Sequence, residues 1–449
     1  MQKVSIDKLT EYVGQEVLIG GWVDVRRDHG KLIFMDIRDG KEYVQTVVLP
    51  EHQEALDVAS TLRKEDVVLV SGKVNQRPER MIKEGKNGTV ELEVLSIEIL
   101  SKAQELPFDV DTDVNLDTLL DYRPLTLRSK RERAIFKVQA EIIRAYRDFL
   151  IQEGFTEFQS PKLVGGDAEG GAEVFKVDYF NSHDAYLATS PQFYKQILVG
   201  VYERVFTVGN VYRAEKHSTS RHLNEYASLD LEMGFIDSHE DIMNLESKML
   251  AFIVKRLEEN ASEEFKTLKA ELPKVPAEFP KMKLREAQEL IKKETGEDCT
   301  NEPDLEPQHE RWLCEYANKN LNSDFIFITH YPVSKRPMYT YEDENDLGFT
   351  KSFDLLFRGI EITTGGQRVH NHDLLVEKIK GKGLNPDNFQ FYLQAFKYGM
   401  PPHGGLGMGL ERLTAKMLGI DNVKEATLFP RDLNRIDTLL SKNQDKNEQ

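Results

Sequence analysis

An arginine and a glutamate stand two residues apart after an apolar run, at Arg213 and Glu215. A polar stretch with Arg221 and His222 follows, and the chain returns through an alternating apolar run that ends at Met233. This pattern predicts two antiparallel strands joined by a charged loop. Residues two apart on a strand point to one face of its sheet. We therefore expect Arg213 and Glu215 side by side, which would suit a triphosphate and an adenine; a surface ion pair is the alternative.

Two further segments place a charge beside a hinge or a helix start. In DAEGGAEVF, residues 167–175, Glu169 adjoins a glycine pair, and a mobile loop with a carboxylate could close over the ammonium of an amino acid. In SPQFYKQ, Gln192 and Lys195 lie three apart on a helix predicted to begin near Pro191, where the lysine could pair with a side-chain carboxylate. A plain glycine turn and an ordinary helix start are the alternatives.

The segment RGIEITTGGQR combines a carboxylate, hydroxyls and an arginine. Strand alternation predicts Glu361 and Thr363 on one face and Ile362 and Thr364 on the other, with a turn at the following Gly-Gly pair. A carboxylate with a nearby hydroxyl suits Mg²⁺, which takes few protein oxygens. The arginine after the glycines suits bidentate binding of a carboxylate. A buried Arg–Glu pair is the alternative.

A glycine-rich run, GGLGMGLER, precedes a predicted helix near the C-terminus. Glycines at 405, 407 and 409 before Arg412 would let the backbone approach a ligand at the helix N-terminus. The spacing differs from that of dinucleotide-binding and P-loop motifs, since no GK[ST] follows. Alone, this run is a weak signal.

These segments need a scaffold, and the alternation and breaker residues predict its parts. Five short strands with a helical connector near residues 51–63 predict a closed five-stranded β-barrel of the oligonucleotide-binding (OB) type over residues 1–103. Residues 104–130 contain prolines and little periodicity, and we expect a hinge or linker. Residues 131–437 mix strands with helices, including one that starts at Ser238 with Asp241 completing its cap. Residues 438–449 are polar, which predicts a disordered tail.

The composition limits the function classes. The net charge of -17 argues against an indiscriminate nucleic-acid binder, but basic clusters around Arg26 and Arg131 leave RNA binding at chosen points open. Two cysteines in 449 residues indicate a reducing cytosol and exclude a cysteine metal cage. Neither an apolar run long enough to cross a membrane nor a secretory leader is present, so we expect a cytoplasmic protein.

In combination the segments resemble a known family. Four segments resemble motifs 1, 2 and 3 of the class II aminoacyl-tRNA synthetases: the strand that ends at Pro161, Arg213-Ala214-Glu215, Glu361, and the run to Arg412. SPQFYKQ, EITTGGQR and ATLFPRD are similar to the aspartyl-tRNA synthetase family in its archaeal and eukaryotic form. The resemblance runs from the barrel to Arg431, and it implies an α+β protein whose catalytic domain is an antiparallel sheet flanked by helices.

The resemblance also implies roles for individual residues. Arg213 and Arg412 would be the catalytic arginines that hold the triphosphate. The ATP-binding set would be Arg213, Glu215, Arg221, His222, Leu223, Glu361, Gly409, Leu410, Glu411 and Arg412. The aspartate-binding set would be Glu169, Gln192, Lys195, Arg213, Asp230, Thr364 and Arg368, with Lys195 and Arg368 as a doubly cationic pocket for the β-carboxylate. Glu361 and Thr364 would hold Mg²⁺, and Phe34, Gln45 and Arg26 would contact the anticodon.

The activity that follows from the resemblance is activation of L-aspartate with ATP and transfer to tRNA(Asp) by a homodimer. Relatives often have a tryptophan where this chain has Asp24, so tRNA(Asn) is open as a second substrate. Thr364 stands where relatives often have serine. Three alternatives remain: an asparaginyl-tRNA synthetase, an asparagine synthetase-like relative, and a non-catalytic RNA-binding paralogue.

Overall fold

The computed structural model describes residues 2–166 and 173–436. The chain divides into two compact units, Met1–Asp109 and Val110–Gln449. The tail predicted for residues 438–449 lies outside the described residues. Nowhere in the described part does a helix combine the length and apolarity that a bilayer crossing requires.

The first unit is a closed β-barrel. Its elements, besides two 3₁₀ turns, are β1 (Gln2–Lys3), β2 (Glu16–Asp28), β3 (Ile33–Arg38), β4 (Tyr43–Val48), α1 (Gln53–Thr61), β5 (Val67–Gln76) and β6 (Val90–Ser101). The pairing runs β2-β3-β4-β6-β5, and β5 returns to β2, so five strands close the barrel as predicted. Ile33, Met35 and Ile37 enter the core, whereas Phe34 and Asp36 between them are only half-buried.

The second unit is built on one large sheet. Its strands are β7 (Thr156–Glu157), β8 (Leu163–Val164), β9 (Lys176–Val177), β10 (Ala185–Leu187), β11 (Arg204–Tyr212), β12 (Glu225–Gly234), β13 (Lys281–Lys283), β14 (Phe325–Thr329), β15 (Ser352–Phe357), β16 (Ile360–Arg368) and β17 (His403–Gly409). Eight of them lie in the order β13-β14-β15-β16-β17-β12-β11-β7, and the six from β14 to β11 are antiparallel. A separate small sheet has the order β8-β10-β9.

Helices flank this sheet. They are α2 (Leu116–Asp121), α3 (Arg123–Thr126), α4 (Lys130–Gln152), α5 (Gln192–Tyr202), α6 (His239–Asn260), α7 (Ser262–Leu268), α8 (Leu284–Thr295), α9 (Pro307–Asn320), α10 (His372–Gly381), α11 (Gln390–Lys397) and α12 (Leu410–Met417). The long helices α4 and α6 pack together and contribute much of the main core. The capping box of Ser238 and Asp241 at the start of α6 is confirmed. These packed helices leave the other face of the sheet for the polar residues described below.

The hairpin of β11 and β12 shows how the sheet separates core from site. Leu229, Leu231 and Met233 are buried in the hydrophobic core. Because side chains alternate along a strand, Asp230 and Glu232 point to the opposite face. The predicted antiparallel pair is confirmed, with Asp230 opposite Thr207.

The segment expected as a linker, residues 104–130, differs from that expectation. It contains α2 and α3, and the guanidinium of Arg123 is buried. That guanidinium donates hydrogen bonds to the backbone oxygens of Glu425, Thr427 and Leu428, and it pairs with Glu132 at 2.6 Å. Residues 110–130 therefore belong to the second unit. Helices this short leave too little periodicity to be found in the sequence.

The predicted turn at Gly365-Gly366 is wrong, since β16 continues through both glycines. A Cβ on Gly365 would lie 2.3 Å from the ring of Phe353 on the neighbouring strand. The glycine is therefore needed for close packing within the sheet. The glycine-rich run before Arg412 is likewise a strand, β17, paired between β16 and β12.

Candidate active site

A cavity of about 390 Å³ lies over the polar face of the large sheet. Small-molecule sites have volumes of roughly 300–1,000 Å³, so it can hold a compact substrate. Most of the predicted site residues of the second unit line it: Gln192, Lys195, Arg213, Glu215, Arg221, His222, Leu223, Asp230, Glu361, Thr364, Arg368, Gly409, Glu411 and Arg412. Folding thus brings together residues that are up to 220 positions apart in the chain.

Two predicted residues are not among the lining side chains. Glu169 lies outside the described residues. The side chain of Leu410, expected at the ATP site, is buried in the main hydrophobic core. It begins α12, whose first turn also carries Glu411 and Arg412 at the cavity.

Arg213 and Glu215 follow β11 in the loop that leads to β12. The expectation that both project from the strand itself is therefore wrong, because β11 ends at Tyr212. The amide of Asn224 donates hydrogen bonds to the backbone oxygens of Arg213 (2.6 Å) and Glu215 (3.1 Å). This side chain fixes the start of the loop against its end. Both predicted residues consequently reach the cavity, and a guanidinium nitrogen of Arg213 lies 4.0 Å from the Glu215 carboxylate.

His222, in the same loop, hydrogen-bonds through Nδ1 to the hydroxyl of Thr219 at 2.7 Å. Burial lowers the pKa of His222, and the nearby Glu215 carboxylate opposes this shift only in part. Burial therefore favours the neutral ring, and because Nδ1 is bonded to Thr219, Nε2 is the nitrogen that can serve a ligand, as a donor or as an acceptor.

A β-bulge places Glu361 and Thr364 on the same face. In the pairing of β15 with β16, Leu355 faces Thr363 and Leu356 faces Glu361, so Ile362 is the extra residue. The bulge reverses the alternation beyond it. The prediction that Glu361 shares a face with Thr363 is therefore wrong. The hydroxyl of Thr364 donates to Glu361 at 2.7 Å, whereas the side chain of Thr363 is buried.

Glu361 is held between cations. Burial alone would raise the pKa of its carboxyl, but Arg412 and the hydroxyl of Thr364 outweigh burial and hold the pKa below the ordinary value. Arg412 lies 3.8 Å from the carboxylate and also donates to the backbone oxygen of Glu361 at 3.2 Å. An ionised carboxylate beside an arginine therefore faces the cavity.

Lys195 and Arg368 both line the cavity and are both buried. Lys195 donates to Asp230 at 2.9 Å and lies 3.5 Å from Glu232, and Arg368 donates to Glu232 at 3.0 Å. The expected doubly cationic pocket must therefore be corrected, because Asp230 and Glu232 balance the two cations. Buried charges of this kind are stable only when they are paired.

Glu411 anchors the start of α12 to the sheet. Its carboxylate accepts a hydrogen bond from the backbone N–H of Ala227, with oxygens at 3.1 and 3.2 Å. Burial raises the pKa of Glu411 to about 7. The prediction placed it at the ATP site, and the structure places it at the cavity wall.

Several residues that line the cavity, or that pair with residues lining it, were not predicted from the sequence. Glu232 and Asp354 are acids inside apolar strands, a signal that could have been read from the sequence. Arg336 lines the cavity and lies 2.8 Å from Asp354, but it follows a short 3₁₀ turn without periodicity. No sequence signal marks Glu310, which lies on α9 and pairs with Arg221.

In the barrel, the predicted anticodon residues Phe34 and Gln45 share a face. Gln45 lies opposite Asp36, which is two residues from Phe34 on β3, and it accepts a hydrogen bond from Lys83 at 2.5 Å. The register places Arg27 opposite Phe34, and it pairs with Asp36 at 3.0 Å. The predicted Arg26 lies opposite the core residue Met35 instead. Arg27 is therefore the arginine that shares the Phe34 face.

An antiparallel sheet thus presents paired cations, further arginines and a carboxylate to one cavity, an arrangement whose charges suit an anionic ligand. The family model for class II tRNA synthetases (D, K and N) matches residues 115–433, and a model for the OB-fold nucleic acid binding domain matches residues 17–100. The chain belongs to this class II tRNA synthetase family.

Individual relatives are similar over almost the whole chain. An aspartate–tRNA(Asp/Asn) ligase of Deinococcus radiodurans is 45% identical, over 97% of this chain and 99% of the relative. An aspartate–tRNA(Asp) ligase of Pyrococcus abyssi is 41% identical, over 95% and 97%. A crystal structure of the Pyrococcus horikoshii asparaginyl-tRNA synthetase with asparaginyl-adenylate has a TM-score of 0.88 at 32% identity, covering 97% of this chain and 99% of that one.

Proposed function

We propose that the protein is an ATP-dependent aspartate–tRNA ligase, which activates L-aspartate to aspartyl-adenylate and transfers it to the 3′ end of tRNA(Asp). The observation that carries the proposal is the pair of buried cations Lys195 and Arg368, in a cavity that Arg213 and Arg412 also line. Relatives named aspartate–tRNA ligases match the chain over nearly its full length.

The chemistry follows from electrostatics. The α-carboxylate of aspartate attacks the α-phosphorus of ATP, the bond to pyrophosphate breaks, and Arg213 and Arg412 offset the negative charge that develops. The terminal ribose hydroxyl of the tRNA then attacks the adenylate, and AMP leaves. Positioning of the reactants supplies much of the acceleration, and no covalent intermediate with a side chain is required.

Selection of aspartate rests on donor geometry more than on net charge. Lysine and arginine side chains have only donors, so Lys195 and Arg368 match the acceptor oxygens of a β-carboxylate. The amide nitrogen of asparagine would meet these donors with another donor. Asp230 and Glu232 hold the two cations in place while they balance their charge.

A pyrophosphate-exchange assay with aspartate and with asparagine tests this assignment. We expect exchange driven by aspartate, at least about 100-fold better than exchange driven by asparagine, the discrimination that mispaired buried polar groups can give. Exchange driven by asparagine alone would favour an asparaginyl-tRNA synthetase, the second candidate, since a structure of that activity has the same fold. tRNA-independent formation of asparagine would indicate an asparagine synthetase-like enzyme, and no exchange would indicate a non-catalytic paralogue.

Mg²⁺ is the proposed cofactor, held by Glu361 with the hydroxyl of Thr364. The neighbouring Asp354 supports this site: its Oδ1 is buried and has no hydrogen-bond partner among the residues that the structure describes. Burial raises the pKa of Asp354 to about 6, opposed by Arg336 and reinforced by Glu361. Such a carboxylate pair fits a divalent cation, which would supply positive charge next to the phosphates. Exchange should cease when divalent cations are chelated and return with Mg²⁺.

The barrel is the proposed anticodon-binding domain. Phe34 would stack on the central anticodon base and Gln45 would read its edge, as single-stranded RNA is usually recognised. Arg27, which shares their face, is better placed than Arg26 to contact the RNA backbone. Phe34→Ala should lower kcat/KM for tRNA and leave pyrophosphate exchange unchanged.

We further propose that tRNA(Asn) is a second substrate. Asp24 replaces the tryptophan of many relatives, and it is buried at a β-bulge, 3.8 Å from Arg38. A buried aspartate held this way offers no ring to stack on the third anticodon base. The Deinococcus radiodurans relative is named for both tRNAs, whereas the Pyrococcus abyssi relative is named for tRNA(Asp) alone. Charging of transcripts whose anticodons end in C or in U would decide between one substrate and two.

The proposed assembly is a homodimer. The segment of α4 and the strand before Pro161 resembles motif 1, the interface of the class II enzymes. Large apolar side chains are exposed near the end of α4, at the end of α5 and directly after β12: Ile151, Tyr202 and Phe235. A partner subunit would cover them, and light scattering after gel filtration would give the mass.

We propose a cytoplasmic location, because the only two cysteines are free and buried.

A further inference from the structure

Glu310 lies on α9, outside the three motifs and outside the lining of the cavity. Only 12% of its side chain is exposed to solvent. An acid of that burial needs partners, because an unpaired buried charge is costly. Its partners belong to two different parts of the site.

One carboxylate oxygen of Glu310, Oε2, accepts both contacts. It accepts a hydrogen bond from the guanidinium of Arg221, in the loop between β11 and β12. It also accepts from the backbone N–H of Glu361, at the start of β16, at 3.3 Å. A single side chain thus ties the loop that carries Arg221 to the strand that carries Glu361.

This contact gives Arg221 a defined position near a second arginine. Arg412 donates to the backbone oxygen of Glu361, the same residue whose N–H contacts Glu310. Arg412 is therefore bonded to Glu361 directly, and Arg221 is linked to the same residue through Glu310. Both arginines line the cavity. Arginines fixed in this way match phosphate oxygens in a bidentate geometry.

The ion pair is partly buried. Burial raises the pKa of Glu310, Arg221 opposes the rise, and the charge of Glu361 adds to it. The side chain of Arg221 is 22% exposed, so water screens the pair less than it screens a surface pair.

We propose that Glu310 is a positioning residue for ATP: it holds Arg221 at the triphosphate and so sets the affinity for the nucleotide without touching it. The inference rests on the proposed function and deepens it. Without Glu310, Arg221 would have to be ordered at each binding event, and that ordering costs affinity. The amino-acid end of the cavity, at Lys195 and Arg368, has no contact with this pair and should not respond.

Pyrophosphate exchange measured against ATP and against aspartate separately tests this role. Glu310→Ala removes both hydrogen bonds, and we expect KM for ATP to rise about tenfold, the loss typical of a charge-assisted hydrogen bond. Glu310→Gln keeps an acceptor oxygen, so the rise should be about threefold. KM for aspartate should stay within about twofold in both variants. An unchanged KM for ATP, or an equal rise in both KM values, would overturn the proposal.

A double-mutant cycle separates positioning from general damage. If Glu310 acts through Arg221, then Glu310→Ala added to Arg221→Ala should change KM for ATP by less than about twofold. Independent, multiplying effects would show that Glu310 acts in some other way. Glu315→Ala is the matched control, since Glu315 lies on the same helix and pairs with Lys319 at the surface. Its KM values should equal those of the wild type.

Measurements on the wild type distinguish failure of the proposed function from failure of the role proposed for Glu310. Absence of aspartate-dependent exchange in the wild type would refute the proposed function, and this inference with it. Normal wild-type exchange together with normal Glu310 variants would refute this inference alone.

Discussion

Lys195 is a buried cation whose removal tests amino-acid selection directly. Lys195→Leu should raise KM for aspartate about 100-fold while KM for ATP stays within about threefold, because Arg213 and Arg412 remain in place. Asp230 and Glu232 would lose a shared partner, so the free energy of unfolding should fall by about 3 kcal/mol.

The exchange assay and a denaturant titration measure these two effects. Lys319→Leu, at an exposed position, is the control and should change neither. An unchanged KM for aspartate in the Lys195 variant would remove this residue from the binding site.

Glu246, on α6, is a buried acid behind the sheet. Burial raises its pKa from an ordinary 4.5 to about 8; the Thr363 hydroxyl opposes the rise and Asp354 adds to it. The folded state therefore keeps the proton where the unfolded state loses it. Stability that is present below about pH 4.5 is lost as pH rises towards 8.

Glu246→Gln carries no such proton. The wild type loses stability between pH 5 and pH 8 through this group, and the variant does not. The free energy of unfolding of the variant minus that of the wild type should therefore be about 1–3 kcal/mol larger at pH 8 than at pH 5. Denaturant titrations at both pH values measure this difference, and Glu258→Gln, exposed on the same helix, should give none. If the free energy of unfolding of the Glu246 variant and that of the wild type changed equally with pH, the pKa of Glu246 would be the same in the folded and unfolded states, which would contradict this prediction.

At the scale of elements, the sequence predicted those features that depend on residues close together in the chain. The β11–β12 hairpin, the capping box of α6 and the barrel strands were all predictable, because alternation and capping are properties of neighbouring residues. The bulge at Ile362 was not, since it depends on how β15 pairs with β16. Arg336 reaches the cavity, and Glu310 reaches Arg221, through tertiary contacts alone, and no spacing in the sequence records such contacts.

Strand β17 shows why glycines are needed in the middle of the sheet. A Cβ on Gly405 would lie 2.1 Å from the backbone oxygen of Leu231 and 2.1 Å from the carboxylate of Glu232. Gly405→Val should therefore push β17 away from β12 and displace Glu232 from Arg368. We expect a loss of about 2–5 kcal/mol of stability and a loss of aspartate-dependent exchange.

Thermal unfolding and exchange measure these losses. Gly381→Ala is the control, because nothing lies within 4 Å of its added Cβ, and it should change stability by no more than about 1 kcal/mol. A fully active Gly405→Val protein would mean that the sheet can open at this point without disturbing the cation pairs.

At the scale of the whole molecule, the two units have separate hydrophobic cores. The barrel core uses residues from Val4 to Val94, and the main core of the second unit uses residues from Ile135 to Ala426. A unit with its own core can in principle fold alone. All the described residues that line the cavity belong to the second unit.

Division of the chain after Asp109 should therefore divide the activity. A protein of residues 110–449 should fold cooperatively and keep aspartate-dependent pyrophosphate exchange within about threefold of the full chain, because adenylate formation needs only the cavity. Its kcat/KM for charging tRNA should fall at least about 100-fold, since anticodon contacts worth several kcal/mol are gone. Circular dichroism, exchange and charging assays on both proteins give these quantities. Loss of exchange in a folded fragment would show that the barrel contributes to the chemical site, and undiminished charging would show that the anticodon is not read by the barrel.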